Sequence, residues 1–242
     1  MSAHAVVSTQ EVLDALERVL DPELDRSIVD LGFVESVRIR GDEVSIALRL
    51  PTYWCAPNFS WLMADDARQA VLRLPGVARV EVTLLDHHAS AEISAGVSAG
   101  RSFQETFPGE ATEELDALRR LFRRKAFFAR QERLLNTLPR ERLAELRLGD
   151  LPDTPETRAY LTVRAELGLD CSPDAPAVTG PDGGPVRDVD AYLRWIRLMR
   201  VSMEANTTLC RGLLAARYGE ERVDEGSPDR FLSRAVPDHR SS

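Results

Sequence analysis

The 242 residues carry 31 Lys and Arg against 39 Asp and Glu, a formal net charge of −8, with 43% apolar and 29% charged residues. That composition is ordinary for a soluble globular protein with room for one large or two modest domains, and its acidity gives no general pull toward nucleic acid. No apolar run approaches the roughly 18 residues a membrane span needs, and residues 1–20 lack a basic segment leading into an apolar one, so a cytoplasmic protein without membrane partners is expected.

In chain order, residues 1–7 read as a disordered N-terminus. Ser8 and Glu11 then make a capping box ahead of Val12, Leu13, Leu16, Val19 and Leu20, which predicts a helix to about Leu20. Asp21-Pro22-Glu23-Leu24 breaks it, and Ile28-Val29-Asp30-Leu31-Gly32 leads into a strand through Val34, Val37 and Ile39. A hairpin turn at Arg40–Glu43 returns the chain along Val44–Leu50. After a loop, a helix begins near Phe59 or Ser60, closes at Leu74-Pro75-Gly76, and hands over to a strand through Val80, Val82 and Leu84. The fold class is therefore α+β. A small α-β-β-α-β domain with a three-stranded mixed sheet is followed by an all-helical region, and the second and third strands run parallel across the helical crossover.

Five segments follow from this. They are the N-terminus 1–7, the α/β domain 8–86, a connector 87–110 with a helical stretch Ala89–Gly100, a helical extension 111–219, and a flexible tail 220–242. Within the extension the pattern predicts helices over Thr112–Leu138, Arg140–Leu146, Thr157–Leu167 and Val189–Tyr218, with a Pro- and Gly-rich loop from Cys171 to Pro185. Arg119, Arg120, Arg123, Arg124 and Lys125 stand a turn from Glu113, Glu114 and Asp116, the pattern of a solvated, self-paired helix face.

The stretch Leu50-Pro51-Thr52-Tyr53-Trp54-Cys55-Ala56-Pro57-Asn58 joins the second strand to the second helix. It delivers Cys55 to the mouth of that helix, where free N–H groups and the dipole favour a thiolate; the plainer reading is a small apolar residue under a loop. Cys171 and Cys210 read as core thiols or as a pair brought together in space, and the absence of a CxxC pair argues against a disulfide framework or a self-contained zinc site. Strand order brings Asp30, Cys55 and His87 or His88 to one edge of the sheet, where thiolate, carboxylate and imidazole could form an open site for Fe(II) or Zn(II). Asp30 reads equally as a turn residue, and the histidines as exposed strand-end residues. Tyr53, Trp54, Phe59 and Trp61 crowd this loop, which makes Thr52, Tyr53 and Trp54 candidates for docking a partner, or else a shield between sheet and helices.

Together, Asp21-Pro22-Glu23, Ile28-Val29-Asp30-Leu31-Gly32, the Thr52-x-x-Cys55 element and Leu74-Pro75-Gly76-Val77 with its following strand resemble the iron–sulfur cluster assembly family, which includes SufT-like and PaaD-like proteins. The resemblance implies a non-enzymatic maturation or targeting factor that carries a transient iron or iron–sulfur cluster to a client apoenzyme, with Cys55 and Asp30 as its functional pair. Partners would be that client, other assembly factors and, as a homodimer, a second copy. Two departures stand out: Ala56 separates Cys55 from Pro57, and the cysteine-rich zinc segment of PaaD-like relatives is missing. Residues 111–242 lie outside the resemblance, and the helical extension is similar to accessory proteins of bacterial soluble diiron monooxygenases, which would make the client a diiron hydroxylase. The alternatives are a thiol enzyme, with Cys55 as nucleophile, His87 or His88 as base and Asp86 or Asp30 as orienter, and a metal-free, client-specific chaperone.

Overall fold

The chain is described by a computed structural model covering residues 7–109 and 112–219. The expected disordered N-terminus, apart from a buried Val7, and the expected tail 220–242 lie outside the described residues. These fall into two compact units, one within Met1–Asp21, Arg26–Glu110 and Thr208–Ser242, the other within Pro22–Asp25 and Ala111–Thr207.

In the first unit, α1 (Thr9–Leu16) opens on the expected capping box: the Ser8 hydroxyl accepts from the Glu11 amide while the Glu11 carboxylate accepts from the Ser8 amide. It ends a turn before Leu20, because Leu20–Asp21 (β1) pairs antiparallel with Arg26–Ser27 (β2) around the Pro22 loop. The helix prediction extended too far there, since Val19 is buried but serves the turn rather than another helical turn.

The Ile28–Gly32 motif is a single closed turn. Phe33 donates to the Ile28 carbonyl and Gly32 to that of Val29, the double bond of a left-handed helix cap, with Gly32 at φ +76° where a side chain would be strained. Ser27 starts the turn by accepting from the amides of Val29 and Asp30. Ile28 and Leu31 face inward, and Asp30 is left on the surface.

β3 (Val34–Arg40) and β4 (Glu43–Arg49) pair antiparallel through a turn in which Gly41 takes φ +64°, and α2 (Pro57–Leu72) crosses over to β5 (Arg79–Leu85), parallel to β4. The sheet order is β3-β4-β5, the mixed three-stranded sheet expected, with Val44, Ile46, Leu48, Val80, Val82 and Leu84 buried at alternating positions. Beyond it, α3 (Ser90–Ser98) lies against β5, where Ser94 and Ser98 accept from the amides of Leu84 and Val82 and so occupy the open edge. A one-turn helix, α4 (Phe103–Thr106), follows.

The second unit is helical: α5 (Thr112–Leu135), α6 (Pro155–Glu166) and most of α7 (Val189–Tyr218), whose last turns from Thr208 belong to the first unit. Its core sets Phe127 and Leu134 of α5 against Tyr160 and Val163 of α6 and Ile196 of α7. The expected helix over Arg140–Leu146 is only a 3-10 turn at Arg140–Arg142, too short a run between Pro139 and the loop to close α-helical bonds. A buried polar network fixes the Pro- and Gly-rich loop: Gln131 donates to the Tyr160 hydroxyl, and buried Arg164 donates to the Tyr160 and Thr179 hydroxyls and to the carbonyls of Pro176 and Asp170. No described helix is long and apolar enough to cross a membrane.

Candidate functional site

The strand pairing decides where the site lies. Val34 at the start of β3 faces Leu48 near the end of β4, and Arg49 faces Leu85 at the end of β5, so the turn carrying Asp30, the Cys55 loop and Asp86-His87-His88 all leave from one end of the sheet. The sequence pattern anticipated that juxtaposition.

Cys55 stands just before the N-cap of α2, with Pro57 as the first helical residue, so the helix starts two or three residues earlier than the apolar pattern indicated. Its side chain is partly exposed, and Sγ lies 3.3 Å from the Thr52 hydroxyl. Beside it, Tyr53 and Trp54 are exposed, Trp54 by 75%, while Trp61 is buried against Phe103, with ring centroids 5.6 Å apart. The aromatic crowd therefore divides: Trp61 belongs to the core, and Tyr53 and Trp54 form a surface with His88, whose ring lies 5.4 Å from that of Trp54.

The two histidines do different things. His87 is 3% exposed, and its ring is fully engaged. The Ala89 amide donates to Nδ1, so the proton sits on Nε2, which donates to the Cys55 carbonyl at 2.7 Å and lies 3.1 Å from the Ser60 hydroxyl. Burial holds its pKa below the usual range, against the opposing bond to the Cys55 carbonyl, with His88 and Arg217 acting in the same direction as burial. The expectation of His87 as a metal ligand is corrected here: Nε2 is spent on the Cys55 carbonyl and Nδ1 on the Ala89 amide, so the ring ties the Cys55 loop to the turn after β5. His88 is exposed and donates Nδ1–H to the Tyr53 carbonyl at 3.0 Å, leaving its Nε2 lone pair available.

Asp30 is exposed but not idle. Its carboxylate lies 2.9 Å from Arg211 Nη2, and the same nitrogen donates to the Asp30 carbonyl at 3.0 Å; Arg26 stands 3.8 Å away. Asp86, at φ +52°, pairs with Arg49, which also pairs with Glu35 and lies 4.5 Å over the Tyr218 ring. Arg217 donates to the Asp86 carbonyl. Arg211, Arg217 and Tyr218 were missed in the sequence, because nothing in the local pattern of α7 says that its last turns reach the sheet end. Among the described residues, no three His, Cys, Asp or Glu side chains converge in a group that could hold a metal ion, so the proposed ligands share a rim without forming an assembled cage. Cys171, expected in the core, is exposed, and Cys210 is only partly covered.

The sequence profile of the family described as iron–sulfur cluster assembly protein matches residues 9–84, the span from α1 to β5. An uncharacterized protein of Methanocaldococcus jannaschii is 37% identical over 91 residues, which cover 37% of this chain and 93% of that protein. The chain belongs to the iron–sulfur cluster assembly protein family. Within that relationship it is similar to an iron–sulfur cluster carrier protein of Synechocystis, at 40% identity over 77 residues covering 32% of this chain and 21% of that protein. A second iron–sulfur cluster carrier protein, from Deinococcus radiodurans, is 37% identical over 71 residues covering 29% and 20%. The chain thus spans about a fifth of the length of the carriers it matches. The family's match ends before α3, so α5, α6 and α7 stand outside it.

Proposed function

We propose that this protein is a non-enzymatic maturation or targeting factor that brings iron or an iron–sulfur unit to a client enzyme. The observation that carries the reading is the partly exposed Cys55, set at the helix mouth beside an exposed Trp54 in a domain of the assembly family. Cys55 supplies the sulfur that meets the cargo, with Asp30 and the Nε2 of His88 as oxygen and nitrogen donors from the same sheet end. Asp30 joins only by exchanging its bond to Arg211, which keeps the cargo weakly held, as a delivery protein requires. His87 positions the Cys55 backbone, and Thr52, Tyr53 and Trp54 dock the client. The client we favour is a diiron hydroxylase, which is what the resemblance of the helical extension to accessory proteins of such systems implies. The protein acts in the cytoplasm, where thiols stay reduced.

Anaerobic incubation with Fe(II) and sulfide, followed by desalting, tests this directly. Wild type is expected to retain iron and Cys55→Ala to lose most of it, and co-expression of that variant should yield metal-poor client. Equal iron on both proteins together with a fully loaded client would refute the delivery role.

A further inference from the structure

The outer face of α7 is uncharged from Trp195 to Ala216 and sets bulky apolar residues in water at intervals along it. Trp195 is 47% exposed, Leu198 70% and Leu209 60%, with Val201 and Leu213 exposed beside them. Between these bulky residues the same face carries small ones: Ser202, Ala205, Gly212 and Ala216 are all exposed. Counting from Trp195, the steps are 3, 4, 3, 4, 3 and 4, the seven-residue repeat of a helix that packs along another helix. No charged side chain interrupts these positions. The charges of this stretch, Arg197, Arg200, Glu204 and Arg211, sit elsewhere around the helix, where Arg200 and Arg211 are held by Glu132 and Asp30. A helix face exposed only to water gains nothing from an uncharged repeat that holds Trp195, Leu198 and Leu209 in solvent.

We infer that this face binds a second copy of the chain, antiparallel. The order of sizes argues for self-recognition. Side by side in parallel, each residue meets itself, so Trp195 and Leu198 would crowd while Ala205 and Gly212 left gaps. Run antiparallel, Leu198 meets Ala216, Ala205 meets Leu209 and Ser202 meets Gly212, so each leucine fills the space over a small residue, and one surface patch serves both copies. The absence of charge on the face removes like-charge clashes that a self-paired surface would otherwise carry twice.

Magnitude sets the strength. The repeat runs about 33 Å along the helix, and about a dozen residues per copy place the interface at the small end, below the standard ~800 Å² per partner. A dimer dissociating in the micromolar range follows, opposed by the net charge of −8 on each copy and strengthened by salt.

Sedimentation of the full chain from about 1 µM to about 300 µM, spanning the expected range, is the test. Wild type is expected to shift from monomer to dimer, more readily in high salt. Leu198→Glu with Leu209→Glu, both at strongly exposed positions and so harmless to the fold, is expected to remain monomeric with unchanged circular dichroism. A wild type that stays monomeric throughout, or a double variant that dimerises as well as wild type, overturns the proposal. A chain ending at Gly219 separates the other occupant: if wild type is monomeric and only the shortened chain dimerises, the segment 220–242 covers the face instead, and pairing of the native chain is refuted.

Discussion

The Nδ1 of His87 accepts from the Ala89 amide, so a second proton on that ring would set two N–H groups against each other in a buried site. The folded state therefore resists protonation, in line with the lowered pKa. The sign follows: above about 6.5 the ring is neutral in both states and its contribution is intact, whereas below that the unfolded chain takes up a proton that the folded chain refuses, so stability falls as pH drops toward the lower folded value. Denaturation measured from neutral to mildly acidic pH should show this loss, and His87→Gln should flatten it; an unchanged pH profile in that variant would mean other groups are responsible. Trp54 makes the opposite case. At 75% exposure its replacement by Ala should change stability by no more than about 0.5 kcal/mol, while client capture should weaken at least ~30-fold, as expected for an aromatic anchor contributing about 2 kcal/mol. Unchanged capture by Trp54→Ala would remove the docking role. Sequence could name these residues as chemistry-bearing, but it could not separate a histidine locked into a loop from one left open, because the separation depends on which carbonyl and amide groups lie within 3 Å.

At the level of elements, the segment Pro22–Asp25 is an instructive case. It lies within the span that the family profile matches, yet Asp25, at φ +52°, is buried and bound by Arg130 through both carboxylate oxygens, with Arg133 at 3.4 Å. Burial opposes the charge of Arg130, and the hydrogen bonds and charge of Asp25 outweigh it, so the arginine pKa is raised. Asp25→Asn keeps a residue that tolerates this backbone but leaves the guanidinium uncompensated, at an expected cost of about 3–5 kcal/mol in denaturant unfolding. Adding Arg130→Met should recover part of that loss; no recovery would show that the pair is not the cause. Arg211 offers a test of the site through its neighbour. Arg211→Ala frees the Asp30 carboxylate and should raise the iron retained after reconstitution, and unaltered retention would take Asp30 out of the ligand set. The Ser8–Glu11 capping box, the Gly41 turn and the β4 and β5 alternation were legible because their signals are local. The short β1–β2 pair and the 3-10 turn at Arg140 were not, since a two-residue ladder has no periodicity and the apolar residues around it fit a helix equally well.

Across the whole chain, composition excluded a membrane-spanning helix or a disulfide scaffold as the basis of the fold, and the order of apolar periods determined an α+β domain with a mixed sheet followed by helices. These are properties of the chain read a few residues at a time, since burial favours period 2 in strands and period 3.6 in helices wherever they occur. The same reading brought Asp30, Cys55 and the His87-His88 pair to one end of the sheet, because strand direction alternates at a hairpin and is restored by a helical crossover. What only the tertiary structure decided is how those groups are used: His87 committed to the Cys55 carbonyl, Asp30 to Arg211, Asp86 to Arg49, and Trp54 left in solvent while Trp61 is enclosed. Hydrogen bonds and ion pairs form between residues separated by up to 181 positions, and their geometry is set by packing between distant segments, for which the linear order of side chains carries no periodic signal.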